Sequence, residues 1–202
     1  EKSDQYIIYN IKKEYGNGKI EFYILKDGLM LVIYDLVFNK DMITSFDLSG
    51  DYFEIEYYIS GSMEINEEKL KSVKLIEGEM SVSLSRSMKG EIIYRKDNRY
   101  KGVSIAGYKS KLDSYFGSQG LKLWFDTIEK LNDEDRRTYY LGRKVAPDIT
   151  NVFIEIYNNK MDYNTKILFL EAKVMEIFSK IISFEKLGIN NNLNLDNYEI
   201  EK

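Results

Sequence analysis

The chain has 202 residues, with 29 Lys and Arg against 33 Asp and Glu, a net charge of −4, and neither Cys nor His. This excludes disulfides, Cys- or His-based metal sites, and any Ser-His-Asp or Cys-His catalytic system. With a pI near 5.2 and only 6 Arg, the chain is poorly suited to grip nucleic-acid phosphates by itself.

No apolar run approaches the ~18 residues of a membrane span. The start, Glu1-Lys2-Ser3-Asp4, has no signal-peptide character, and its lack of Met suggests a trimmed beginning. A soluble, cytoplasmic, acidic globular protein of one large or two small domains is expected.

From Tyr6 to about Gly107 the chain is rich in Ile, Val, Tyr and Phe, interrupted by turn pairs. These are Asn17-Gly18, Asp27-Gly28, Ser49-Gly50, Ser60-Gly61, Glu77-Gly78 and Lys89-Gly90. Strands are predicted over 6–11, 19–25, 29–38, 42–48, 52–59, 72–76, 80–84, 91–95 and 103–107. In Phe53-Glu54-Ile55-Glu56-Tyr57 the apolar side chains share one face and the two carboxylates the other, which alternation assigns to solvent. Many short strands at turn spacings predict an antiparallel sandwich or barrel.

After Lys109 the period becomes helical. Helices are predicted over 109–116, 119–131, 147–157 and 162–187. Leu121, Trp124, Phe125, Ile128 and Leu131 line one face of the second, as core. Pro147 suits the first turn of the third, and Gly188 the end of the fourth. On a wheel, the last helix is polar only along Lys173, Glu176, Ser179, Lys180 and Ser183. Its apolar arc is about 200° wide, against ~100° for a helix packed on one side. The surplus predicts two contacts, one with its own domain and one with a partner. The alternative is a helix sunk in its own core. The face expected to meet the partner is Ile167, Leu170, Val174, Ile177, Ile181 and Phe184. Glu171 falls inside the arc, as a rim carboxylate or a buried polar group that fixes register.

No catalytic constellation, calcium loop or phosphate loop is present in the sequence, and no cofactor is implied. Asp133-Glu134-Asp135 fits a helix start, where carboxylates suit the dipole. Aromatic side chains both fill cores and line small-molecule cavities. Tyr34, Phe53, Tyr57 and Tyr94 on the predicted strands are therefore candidates to line a ligand site. Arg95, beside Tyr94, is a candidate to hold an anionic ligand group.

Three stretches resemble the N-terminal regulatory half of AraC-family transcription regulators, in the branch around the pyochelin regulator. They are Tyr57-Tyr58-Ile59-Ser60-Gly61, then Arg99-Tyr100-Lys101-Gly102-Val103-Ser104-Ile105, and then Pro147 through both long helices. The last includes Ile154-Glu155-Ile156-Tyr157-Asn158 and Leu168-Phe169-Leu170-Glu171-Ala172-Lys173-Val174-Met175-Glu176. Ala172 stands where the family has Gly. Asp196-Asn197-Tyr198-Glu199-Ile200-Glu201-Lys202 is similar to the family's entry into its DNA-binding helices.

The resemblance implies an α+β chain: a cupin-like antiparallel β-barrel or jelly roll, followed by a helical dimerisation segment. The barrel would span 1–107 and bind an unidentified small-molecule effector. Residues 108–188 would form a homodimer. Residues 189–202 would be a linker toward a helix-turn-helix domain through which alone DNA is bound. A stand-alone small-molecule or sugar-binding module is the other reading, and the lack of His argues against a cupin enzyme.

Overall fold

The computed structural model describes residues 5–67, 72–111 and 138–190. Among them lie nine strands and two long helices. The strands are β1 (Tyr6–Asn10), β2 (Gly16–Ile24), β3 (Met30–Phe38), β4 (Met42–Ser60), β5 (Ser62–Glu67), β6 (Val73–Ile76), β7 (Glu79–Tyr94), β8 (Arg99–Tyr108) and β9 (Thr138–Lys144). The helices are α1 (Pro147–Tyr157) and α2 (Tyr163–Asn190). Every pairing is antiparallel, in the order β1-β2-β3-β8-β4-β7-β5-β6, with β9 also on β7.

Three expected turns lie inside strands. Segments 42–48 and 52–59 form one strand, with an irregularity of register between Ser49 and Tyr52 that absorbs Gly50. Segments 80–84 and 91–95 are likewise one strand, in which Gly90 pairs with Phe46. Asn17-Gly18 lies inside β2, and the chain reverses before it, where Tyr15 and Gly16 donate to Lys12 O. Glu77-Gly78 does make the β6–β7 hairpin, with Gly78 at φ 80, a conformation that disfavours side chains.

Two strands escaped the sequence reading. β5 begins directly after Gly61. β9 lies in the stretch 108–188 that was expected to be helical. It pairs Thr138–Lys144 with Glu79–Ser85, a length of β7 whose neighbour on that side is not β5. The expected helix 119–131, with Trp124, and Asp133-Glu134-Asp135 lie outside the described residues, as does most of 189–202.

The sheet curls, because residues from distant places in the strand order share one cluster. Leu75 of β6 and Met63 and Ile65 of β5 pack with Tyr34, Leu36 and Phe38 of β3 and Tyr100 of β8. The opposite face carries Leu31, Ile33, Phe53, Ile55, Tyr57, Met80, Val82, Val103 and Ile105, and both helices close over it. α1 contributes Ile149, Val152, Phe153 and Ile156, and α2 contributes Leu170, Val174, Ile177, Phe178 and Ile181.

Helix starts follow the expected chemistry. Pro147 occupies the first turn of α1. Before α2, Asp162 accepts from the Thr165 backbone N–H at 3.3 Å. α2 continues past Gly188 to Asn190.

Candidate functional site

Alternation along β4 builds the site. Phe53, Ile55 and Tyr57 point toward the helices, where the Tyr57 ring stacks on Phe153 with centroids 5.0 Å apart and Phe53 meets Phe178 at 6.2 Å. Glu54, Glu56 and Tyr58 therefore point into the curl of the sheet. The expectation that both carboxylates face solvent is overturned. Glu56 is buried and Glu54 is half-buried, because the sheet closes over the side away from the helices.

The register aligns rows of neighbours across this inward face. Tyr34, Gly102 and Tyr58 stand side by side on β3, β8 and β4. Ser104, Glu56 and Ser81 form the next row, and Ala106, Glu54 and Ser83 the one after. The Tyr34 hydroxyl donates to Glu56 Oε1 at 2.7 Å, and the Tyr58 hydroxyl donates to Glu56 Oε2. The Ser104 hydroxyl donates to Glu54 Oε1 at 2.5 Å. Gly102 makes the first bond possible, since a Cβ there would lie 2.2 Å from the Tyr34 hydroxyl oxygen.

Burial pushes the Glu56 carboxyl up to about 8, and the nearby charge of Glu54 adds to this against the Tyr58 and Tyr34 hydrogen bonds. Burial also raises Glu54, against the Ser104 hydrogen bond. The phenols of Tyr34, Tyr58 and Tyr94 are raised by burial first and then by the Glu56 charge. Tyr94 sits edge-on to Tyr100 at 5.1 Å and at the same distance from Phe38. Among the described residues no three side chains are grouped to hold a metal ion.

The five residues expected around a ligand divide among three places. Tyr34 and Tyr94 share the inward face. Phe53 and Tyr57 are buried on the helix face, one residue out of phase with it. Arg95 is exposed at the rim and is already paired, through Nη1 to Asp41 at 3.1 Å and Nη2 to Glu64 at 3.3 Å. Glu54, Glu56, Tyr58, Ser81, Ser83 and Ser104 were not singled out as ligand-lining. The signal that could have found them is that Glu54 and Glu56 share a face with Tyr58.

The face chosen on α2 also changes. Leu170, Val174, Ile177 and Ile181 are fully covered by the chain's own sheet and α1, and Ile167 packs partly against the same core. The side chain of Phe184 is outside the described ones. The outward side of α2 instead carries Leu168, 70 % exposed, and Met175, 37 % exposed. Glu171 accepts the backbone N–H of Lys26 at 3.0 Å, which ties α2 to the turn between β2 and β3.

A third cluster joins sheet and helix. Arg99 makes paired hydrogen bonds to Asp35 at 2.9 and 2.8 Å, and the Tyr157 hydroxyl of α1 donates to the same carboxylate at 2.9 Å. The Arg99 bonds hold Asp35 below the usual carboxylate range, with Tyr157 adding to them against burial.

A curled antiparallel sheet with polar side chains turned inward and two helices packed outside is a cupin-like regulatory architecture. Residues 17–184 match the family described as regulatory protein PchR N-terminal domain, and the chain belongs to that family, the effector-binding regulatory domain of AraC-family transcription regulators. Its fold is similar to that of the AraC-like transcriptional activator CuxR, at TM-score 0.52 and 11% identity, over 89% of this chain and 60% of that one. The apo form of a ToxT variant from Vibrio cholerae gives TM-score 0.47 and 17% identity, over 76% of this chain and 55% of that one. The chain thus spans less than two thirds of either protein's length. No curated protein matches it. No helix among the described residues is long and apolar enough to cross a membrane.

Proposed function

We propose that the chain senses a small-molecule effector inside its barrel and acts as a homodimer, without catalysis of its own. It would control a helix-turn-helix domain that binds DNA in the cytoplasm. The observation that carries the reading is the polar inward face, where Tyr34, Glu54, Glu56, Tyr58, Ser81, Ser83 and Ser104 are collected by four strands. An interior that served packing alone would be apolar, since buried polar groups must be matched by hydrogen bonds.

The homodimer reading rests on α2. Leu168, Ala172, Met175, Ser179 and Ile182 follow one another at spacings of four and three, the spacing of a coiled-coil seam. The first four are exposed and Ile182 is half-buried. A seam of this kind can pair with its own copy across a twofold axis, and the occupant proposed is a second copy of this chain. A dimer would set two DNA-reading heads at a fixed spacing. Effector binding changes that placement only through different affinities for two arrangements.

Sedimentation of the wild type and of Leu168→Asp tests this. A dimeric wild type and a monomeric variant with the same urea midpoint are expected. A wild type that stays monomeric at tens of micromolar overturns the homodimer. Native mass spectrometry of the wild type reports a retained effector as added mass.

A further inference from the structure

We propose that the inward face of β4 holds an organic cation, an ammonium or guanidinium group seated between Glu54 and Glu56. This names the ligand class for the effector site proposed above and rests on that reading.

Four observations converge. Glu54 and Glu56 are two residues apart on one strand, so their side chains leave the same face about 7 Å apart. Among the described side chains, the ionisable groups on that face are Tyr34 from β3, Tyr58 from β4, Tyr94 and Glu79 from β7 and Tyr100 from β8, and Glu79 accepts the Ile76 backbone N–H at 3.2 Å. No Lys or Arg joins them among the described side chains of that face. Lys101 projects from the other side of β8, over the Tyr157 ring. Glu54 and Glu56 thus have no counter-charge among the described side chains of this face.

The rest of the face is built for a guest. Ser83 lies directly across from Glu54 in the β4–β7 register and is only 4 % exposed. Its hydroxyl makes no side-chain hydrogen bond among the described residues, which leaves a buried polar group to be satisfied. A cation with several N–H donors supplies what this arrangement lacks: positive charge for the carboxylates and a donor for the Ser83 oxygen. Tyrosine rings add faces over which a cation is attracted. An anion would meet two carboxylates and gain no opposite charge. A neutral polyol would satisfy Ser83 and supply no charge to Glu56 once it ionises near pH 8.

The inference makes binding depend on pH. Glu56 titrates near 8 in the free protein, through burial and the Glu54 charge. A cation favours the ionised form, so binding releases a proton below that point. Affinity should rise as pH approaches about 8, by up to about tenfold per unit, and then level.

The test uses the 202-residue chain and three probes of one shape. Benzylamine is cationic, benzyl alcohol neutral and benzoate anionic. Calorimetric titration across pH reads affinity and proton release, and tyrosine ring resonances report whether the inward face is touched. Benzylammonium should bind at least about tenfold more tightly than either analogue, with affinity climbing toward pH 8. Glu56→Gln should flatten that climb. Its fold is checked by circular dichroism, and the wild-type pH profile does not depend on the variant. Equal or tighter binding of benzoate or benzyl alcohol, with tyrosine shifts, overturns the cation and leaves the barrel as an effector site. Absence of tyrosine shifts with all three probes overturns both.

Discussion

The two faces of β4 between Phe53 and Tyr58 are both largely covered and chemically opposite. Phe53, Ile55 and Tyr57 meet two helices, whereas Glu54, Glu56 and Tyr58 meet the curled wall of the same sheet. The helix face is a packing surface, close to the density of an organic crystal and intolerant of any new polar atom. The inward face holds carboxyls at the expense of raising them. Apolar packing is therefore concentrated on one side of the strand and buried polar chemistry on the other.

The largest effect should come from charging the helix face. Val174→Asp places an unpaired carboxylate at a position 1 % exposed. We expect a loss of at least about 4 kcal/mol, most of the stability of a typical domain, as unfolding at low urea. A folded Val174→Asp protein of wild-type urea midpoint would show that this face is not the core.

A second prediction separates the faces by pH. The Glu56 carboxyl is raised from the usual 4.5 to about 8 on folding, so between those values the folded state holds a proton that the unfolded state has lost. Its contribution is then fully favourable below about 4.5 and is lost as pH rises through 8. Glu56→Gln, which cannot ionise, should remove this decline and gain on the wild type by a few kcal/mol at high pH. Urea melts at several pH values measure it. Parallel curves for the two proteins would mean that Glu56 is not held neutral.

How much of this was legible is clear from particular residues. Turn chemistry at Glu77-Gly78 and the placing of Pro147 in the first turn of α1 were local, and local rules located them. Ser49-Gly50 has the same turn chemistry and yet stays in a strand, because β7 pairs with β4 on both sides of it. β9 is held by an edge of β7 distant in the chain, which no local window contains. Strict alternation separated Glu54 and Glu56 from Phe53 and Tyr57 correctly. It cannot say which side is wet, because that depends on a sheet curling through β5 and β6. The wide apolar arc of α2 is explained mainly by its seat between the sheet and α1. Only Leu168 and Met175 remain as large exposed apolar side chains along its outward side among the described residues.

Two smaller predictions probe the seams between these regions. Tyr157→Phe removes the hydrogen bond to Asp35 that joins α1 to the sheet and should cost about 1 kcal/mol in urea melts. No change there would mean that Arg99 alone satisfies Asp35. Arg95→Ala removes two exposed ion pairs at the rim and should change stability by less than about 0.5 kcal/mol. A larger loss would make the rim part of the core's cooperativity.

Gly102 gives the inward face an unusual evolutionary position. Every glycine codon is one nucleotide from an alanine codon, and the added methyl would fall 2.2 Å from the Tyr34 hydroxyl oxygen and 2.8 Å from the Tyr57 carbonyl oxygen. That single step would drive the Tyr34 phenol away and deprive Glu56 of a donor, without replacing either residue. Its first target lies on the inward side, away from the helices. The same methyl also presses on the backbone of Tyr57, whose ring stacks on Phe153, so one small side chain at this point would strain the interior hydrogen bonds and the helix contact together.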